Sequence, residues 1–148
     1  MKKIFNLFMA LMVGATMVSL SSCSKDDKDS GISYEDLKEP LTYTVTNGNN
    51  KVTVSGTNKV AKMTTEYLYE DGVLVNVNYS EEVNCGDASY AALLVAAYQE
   101  AYTAEDGYHV TITQNGSKVV VSGTMESTDA EVTMTQDELY QYLKMIWE

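Results

Sequence analysis

The chain has 148 residues and a formal net charge of -11, with 21 carboxylates set against ten basic residues. All ten are lysines, so the chain lacks the basic, arginine-bearing surface that displaces counterions from nucleic acid, and a nucleic-acid partner is excluded. The same balance rules out a polybasic grip on anionic lipid.

The chain opens with Lys2 and Lys3, followed by an uncharged, mostly apolar run from Ile4 to Ser22 containing Phe5, Leu7, Phe8, Leu11, Met12, Val13 and Val18. A basic start, an apolar stretch and small residues at its end are the parts of a secretory leader. The run closes on Leu20-Ser21-Ser22-Cys23. That tetrad resembles the lipobox of bacterial lipoproteins. The resemblance implies a signal peptide over residues 1–22, a diacylglycerol on the Cys23 sulfur, cleavage before Cys23 and acylation of the new amine. Loss of Lys2 and Lys3 would make the mature chain still more acidic, so attachment to the outer membrane would come from acyl chains, at about 0.8 kcal/mol per buried CH₂.

Ser24-Lys25-Asp26-Asp27-Lys28-Asp29 follows the cysteine directly. A run this polar cannot bury apolar surface and reads as a flexible tether over residues 23–33. It also resembles the Lys/Asp-rich export signal of surface lipoproteins in Bacteroidetes-type bacteria, which implies display on the outer leaflet of the outer membrane.

Residues 34–148 are enough for one domain with its own core. Ser33 to Glu39 reads as one helical turn stopped by Pro40, the only proline. From Leu41 the period becomes two: Leu41, Tyr43 and Val45 alternate with threonines, and after Asn47-Gly48-Asn49-Asn50 the pattern resumes at Val52 and Val54. This predicts a hairpin with one apolar face. A turn centred on Gly48-Asn49 would set Val45 opposite Val52 and Tyr43 opposite Val54.

The unit returns. Residues 44–57 align with 111–124 at a constant offset of 67, with eight of fourteen positions identical. A turn at Asn115-Gly116 would pair Ile112 with Val119 and Val110 with Val121, the first copy's pairs moved by the offset. The hairpins over 41–57 and 108–124 are therefore a duplication.

A third hairpin is predicted over Ala61 to Ser80. A two-residue Asp71-Gly72 loop would place Tyr67 opposite Asn76. A three-residue Glu70-Asp71-Gly72 loop pairs Tyr69 with Val73, Tyr67 with Val75, Thr65 with Val77 and Met63 with Tyr79, which keeps one face apolar. A helix follows from Asp87, its cap, to Tyr102, with Tyr90, Leu94, Ala97, Tyr98 and Ala101 on one face. A short strand over Ala130 to Thr133 leads to a second helix, Gln136 to Trp147. There Thr135 and Glu138 form a capping box, and Met134 with Leu139 a hydrophobic staple. Leu139, Tyr142, Leu143 and Ile146 make the apolar stripe.

The expected fold is α+β: an antiparallel sheet of about six strands, built from three hairpins, with both helices on one face. The core face would carry Tyr43, Val45, Val52, Val54, Tyr67, Val75, Val110, Ile112, Val119 and Val121. The solvated face would carry Thr42, Thr44, Thr53, Glu66, Asn76, Asn78, His109, Thr111 and Ser122.

No catalytic constellation emerges. His109 is the only histidine, which leaves a histidine metal cluster or a serine–histidine pair without a second member. With Cys23 lipidated, Cys85 has no disulfide partner and reads as a packed thiol. Glu70-Asp71-Gly72 and Glu105-Asp106-Gly107 lack the alternating acidic spacing of a calcium loop and read as turns. Glu81-Glu82, close to Asp87, reads as a solvated loop. Of eleven tyrosines, Tyr43, Tyr67, Tyr69, Tyr79, Tyr90 and Tyr98 fall on core faces, leaving Tyr34, Tyr102, Tyr108 and Tyr140 as exposed contacts. The sequence thus predicts no cofactor, no metal and no catalytic residue. Its first reading is a surface-anchored binding module for a protein or glycan. The alternatives are a structural or inhibitory lipoprotein facing the periplasm and, third, an enzyme.

Overall fold

The computed structural model describes residues 34–101, 108–126 and 134–148. The leader, Cys23, the run Ser24–Asp29, Ser33, the Glu105-Asp106-Gly107 turn and the strand expected over 130–133 lie outside the described residues.

In chain order the elements are α1 (Tyr34–Lys38), β1 (Thr42–Gly48), β2 (Lys51–Thr57), β3 (Ala61–Glu70), β4 (Val73–Asn84), α2 (Ala88–Ala101), β5 (Tyr108–Asn115), β6 (Lys118–Glu126) and α3 (Gln136–Trp147). The strands form one six-stranded sheet in the order β1-β2-β3-β4-β6-β5, every neighbouring pair antiparallel. The α+β architecture with two helices packed on one face of the sheet is the one the residue pattern predicts.

The two hairpin copies flank the central β3–β4 hairpin, and each is covered by one helix: α3 packs on β1 and β2, α2 on β5 and β6. Equivalent residues hold the helix starts. Asn47 of β1 accepts from Gln136 Nε2 at 2.6 Å and donates to Asp137 Oδ1 at 2.8 Å. Gln114 of β5, at the same place in the repeat, donates to the Ala88 carbonyl of α2 at 2.9 Å. Capping fixes the same ends. Asp87 Oδ1 accepts from the Ser89 N–H, and Thr135 and Glu138 form the expected reciprocal box.

The register of both copies differs from expectation by one pair. Val45 lies opposite Val54 and Ile112 opposite Val121, because the loops are Asn49-Asn50 and Gly116-Ser117. A shift of two residues along one strand preserves which face each side chain occupies, so the predicted faces survive. The copies reach one register through different turns: Asn50 has a positive φ of 56° at the second loop position, Gly116 one of 60° at the first.

The central hairpin departs further. Its loop is the two-residue Asp71-Gly72, both residues at positive φ (50° and 80°). The polar–apolar mixing this would cause is removed by a bulge: Tyr69 pairs with Leu74, Leu68 with Asn76, and Val75 is the extra residue. The expected pairs Tyr69–Val73, Tyr67–Val75, Thr65–Val77 and Met63–Tyr79 are therefore replaced by Tyr69–Leu74, Tyr67–Val77, Thr65–Tyr79 and Met63–Glu81. Leu74 is buried (2% exposed), Val73 faces solvent (58%) and Val75 is only half-buried.

The core joins the inner sheet face to Ala91, Leu94 and Tyr98 of α2 and Leu139 and Leu143 of α3. Ile146, expected on the α3 stripe, is 43% exposed; Tyr140 and Trp147 pack beside the expected Tyr142 instead. Trp147 lies on Tyr43, ring centroids 4.5 Å apart. That ring in turn covers Gly56, whose absent Cβ would stand 2.7 Å from Tyr43 Cε1.

Candidate functional site

Two polar features are organised by this sheet, one inside it and one outside. The inner one is Glu81. The acidic pair Glu81-Glu82 was expected in a loop, but β4 runs on to Asn84 and alternation separates the two. Glu82 points outward to Lys118 at 3.2 Å. Glu81 points into the core and is 2% exposed. Strand pairing explains the extension: Glu81 is held between Met63 of β3 and Val121 of β6, and the ladder continues through Val83.

Burial pushes the Glu81 carboxyl above the usual range, and hydrogen bonds from Tyr79 and Tyr98 pull it part of the way back. The Tyr79 hydroxyl donates to Oε2 at 2.5 Å. No lysine or histidine occupies the core face of a described strand, and the hydrogen bonds that lower the Glu81 carboxyl come from the Tyr79 and Tyr98 phenols. Its field reaches Cys85 and Tyr43, raising both after burial has done so first. Cys85 is buried, and its thiol is pushed up to about 11. A thiol in that state is protonated at neutral pH and is a poor nucleophile.

The outer feature is the opposite face. One register row crosses all six strands as Thr44, Ser55, Thr64, Ser80, Ser122 and Thr111, every member a hydroxyl. At about 4.8 Å between strands this makes a continuous line of donors and acceptors. The adjacent row reads Thr46, Thr53, Glu66, Asn78, Thr124 and His109. His109 is exposed and sits opposite Thr124, while Ser122 faces Thr111. Lys51 and Glu66 pair across this face at 2.6 Å.

His109 and Cys85 thus lie on opposite faces of the sheet, and the structure does not bring them together. Tyr67, Tyr69, Tyr79 and Tyr98 are buried, with Tyr43 and Tyr90 packed at the core margin. Tyr140, expected as an exposed contact, is half-buried against the core, while the side chains of Tyr34, Tyr102 and Tyr108 fall outside the described set. Among the described residues no group of three His, Cys, Asp or Glu could hold a metal ion, and no helix is long and apolar enough to cross a membrane. Comparison with protein families, with curated proteins and with solved structures finds no match for this chain.

Both features were within reach of the sequence. The hydroxyls fall on one face once the strand parities are combined; their alignment in a single row comes from the observed register. Glu81 follows if period two is carried past Tyr79, because Val83 and Cys85 then claim the inner face and take Glu81 with them.

Proposed function

We propose that this chain is a lipid-anchored outer-membrane lipoprotein displayed on the cell surface, and that its domain is a non-catalytic binding module. Anchoring through Cys23 and export through Ser24–Asp29 are supported by the tetrad Leu20-Ser21-Ser22-Cys23 and the run after it. The observation that carries the binding role is the row of six hydroxyls on the face opposite both helices. Such a face offers hydrogen bonds at regular spacing without strong charge, which suits a glycan or a polar protein surface. The raised Cys85 thiol and the distance in topology between it and His109 weigh against nucleophilic chemistry.

The test has two arms in the native host. Fatty-acid labelling should mark the wild type and be lost in Cys23→Ala. External protease should remove the domain from intact cells, and replacing Lys25, Asp26, Asp27, Lys28 and Asp29 with alanine should protect it. A photo-crosslinking residue placed at Ser80 should then form adducts on cells that the same residue at Met145, exposed on α3, does not. A protected wild-type domain refutes surface display; equal adducts at both positions refute the face.

A further inference from the structure

The two halves of the sheet are built alike but carry different polar groups in the core. Thr65 of β3 stands opposite Val54, and Glu81 of β4 stands opposite Val121. Val54 and Val121 are the same position in the two copies of the repeat, so Thr65 and Glu81 occupy equivalent places. Both are buried, at 3% and 2% exposure. The half covered by α3 therefore holds a neutral hydroxyl where the half covered by α2 holds a carboxyl.

The start of α2 is fixed by backbone and cap. Asp87 caps it, Gln114 holds the Ala88 carbonyl at 2.9 Å, and the Cys85 N–H just before it donates to the Ser117 carbonyl at 2.8 Å. Beyond Ala91 its buried side chains are Leu94 and Tyr98, and Tyr98 hydrogen-bonds to Glu81. The Glu81 backbone is held between Met63 of β3 and Val121 of β6, in two ladders. The titratable groups around the carboxyl are Tyr79 and Cys85 on β4, Tyr98 on α2 and Tyr43 on β1. Tyr67 and Tyr69 lie further along β3, the core faces of β2 and β5 add no titratable group, and α3 adds Tyr140 and Tyr142 at the core margin. The one charged residue of α2, Glu100, is exposed. A carboxylate in this place has no cation to offset its lost hydration. Water reaches it at least cost by lifting the last turns of α2, which breaks no strand ladder.

We propose that Glu81 is a proton-operated latch: its neutral carboxyl holds the C-terminal turns of α2 on the sheet through Tyr98, and loss of the proton frees those turns while α3 stays in place. Burial raises the carboxyl in the closed form, and opening returns it to water. The closed form is thus favoured in acid, and that advantage is lost as pH rises from the ordinary carboxylate range through the raised value.

Hydrogen exchange of the full chain, corrected for the intrinsic rate at each pH, reads the latch amide by amide. Between the two carboxyl values the opening constant of a single-proton latch rises about tenfold per pH unit, then levels off. Protection at Tyr98 and Gln99 is expected to fall with that slope. It should stay below that of Val54 and Val121, in the central ladders, and below that of Leu143 in α3. Glu81→Gln should hold protection at Tyr98 and Gln99 constant over the same range. The comparison of α2 with α3 in the wild type decides the matter even where that variant does not fold. Protection at Tyr98 that does not change with pH, or that falls equally in Glu81→Gln, overturns the proposal. Protection at Tyr98 equal to that of Val54 or Leu143 also overturns it, because the opening is then of the whole domain. None of these outcomes depends on whether the hydroxyl face binds a ligand.

Discussion

Glu148 closes the edge of the sheet by accepting a hydrogen bond from the Val45 N–H at 2.9 Å, across 103 residues of sequence. The bond holds the Glu148 carboxyl below the usual range, aided by Lys144 at 3.3 Å. A carboxyl whose pKa is depressed on folding contributes stability above its unfolded pKa and loses it as pH falls through the folded one. Glu148→Gln should therefore remove part of the acid-side loss of stability. Glu148→Ala should speed amide exchange at Val45 while leaving Val54 protected. An unchanged Val45 exchange rate in the alanine variant contradicts this role.

Glu81 has the opposite sign. Its carboxyl is raised on folding, so the folded state holds the proton more tightly than the unfolded chain does. Stability associated with Glu81 is present below the ordinary carboxylate range and falls as pH rises from that range through the raised folded value. Glu81→Gln keeps an acceptor for Tyr79 and carries no charge. Its denaturation midpoint at pH 8, relative to pH 5, should exceed that of the wild type. If wild type and variant show parallel pH profiles, Glu81 does not titrate in the core.

Gly56 and Gly123 occupy the same place in the two hairpins but differ in what lies over them. A Cβ at Gly56 would meet the Tyr43 ring at 2.7 Å and Met63 Cγ at 3.0 Å, and Trp147 prevents the ring from moving away. At Gly123 the nearest atom is a Val110 methyl at 3.3 Å. Gly56→Ala should cost about 1–3 kcal/mol, whereas Gly123→Ala should change stability by less than about 1 kcal/mol in either direction. Urea denaturation of both variants, with the reverse order as the disproving result, decides between them.

Val54→Asp and Val121→Asp each place an unpaired carboxylate in the core at equivalent register positions. Either should cost several kcal/mol against a total of about 5–15 kcal/mol, leaving the domain unfolded or nearly so. Thr111→Ala and His109→Ala on the other face should be close to neutral. Comparable losses at all four positions in thermal melts would mean the faces are assigned wrongly.

The faces of the sheet were legible because parity is robust. A two-residue slip in both outer hairpins left every side chain of Val45, Val54, Ile112 and Val121 on the predicted side. Turn choice was less legible. Gly48-Asn49-Asn50 admits two adjacent two-residue loops, and nothing local in the sequence selects the one with Asn50 at positive φ. The Val75 bulge was hidden for a different reason: a three-residue loop and a two-residue loop with a bulge both keep Tyr67 and Tyr69 facing inward. They differ in whether Val73 or Leu74 is buried and in whether Val75 faces Tyr67 or stands outside the pairing, and all three residues are apolar. Glu81 was misplaced because two adjacent carboxylates suggest solvent, yet in a strand neighbours face opposite ways. Of the candidate site, the hydroxyl face was readable from parity, while the tyrosine-bound carboxyl becomes readable only when the alternation is carried past Tyr79 to Val83 and Cys85.

The cover of the first hairpin by the last helix of the chain sets an order of assembly. The β1–β4 meander is joined by short loops, so its pairings form early and locally. The pairing of β4 with β6 must wait for α2 and β5 to be made, and β5 enters the sheet only on the back of β6. Meanwhile β1 has no cover, because the helix that seals it comes after every strand. A chain emerging residue by residue therefore spends the interval before α3 docks with an adhesive margin at each end of its growing sheet. Substitutions that weaken α3 packing, at Leu139 or Leu143, should show first as clumping during synthesis and only afterwards as a lower melting temperature.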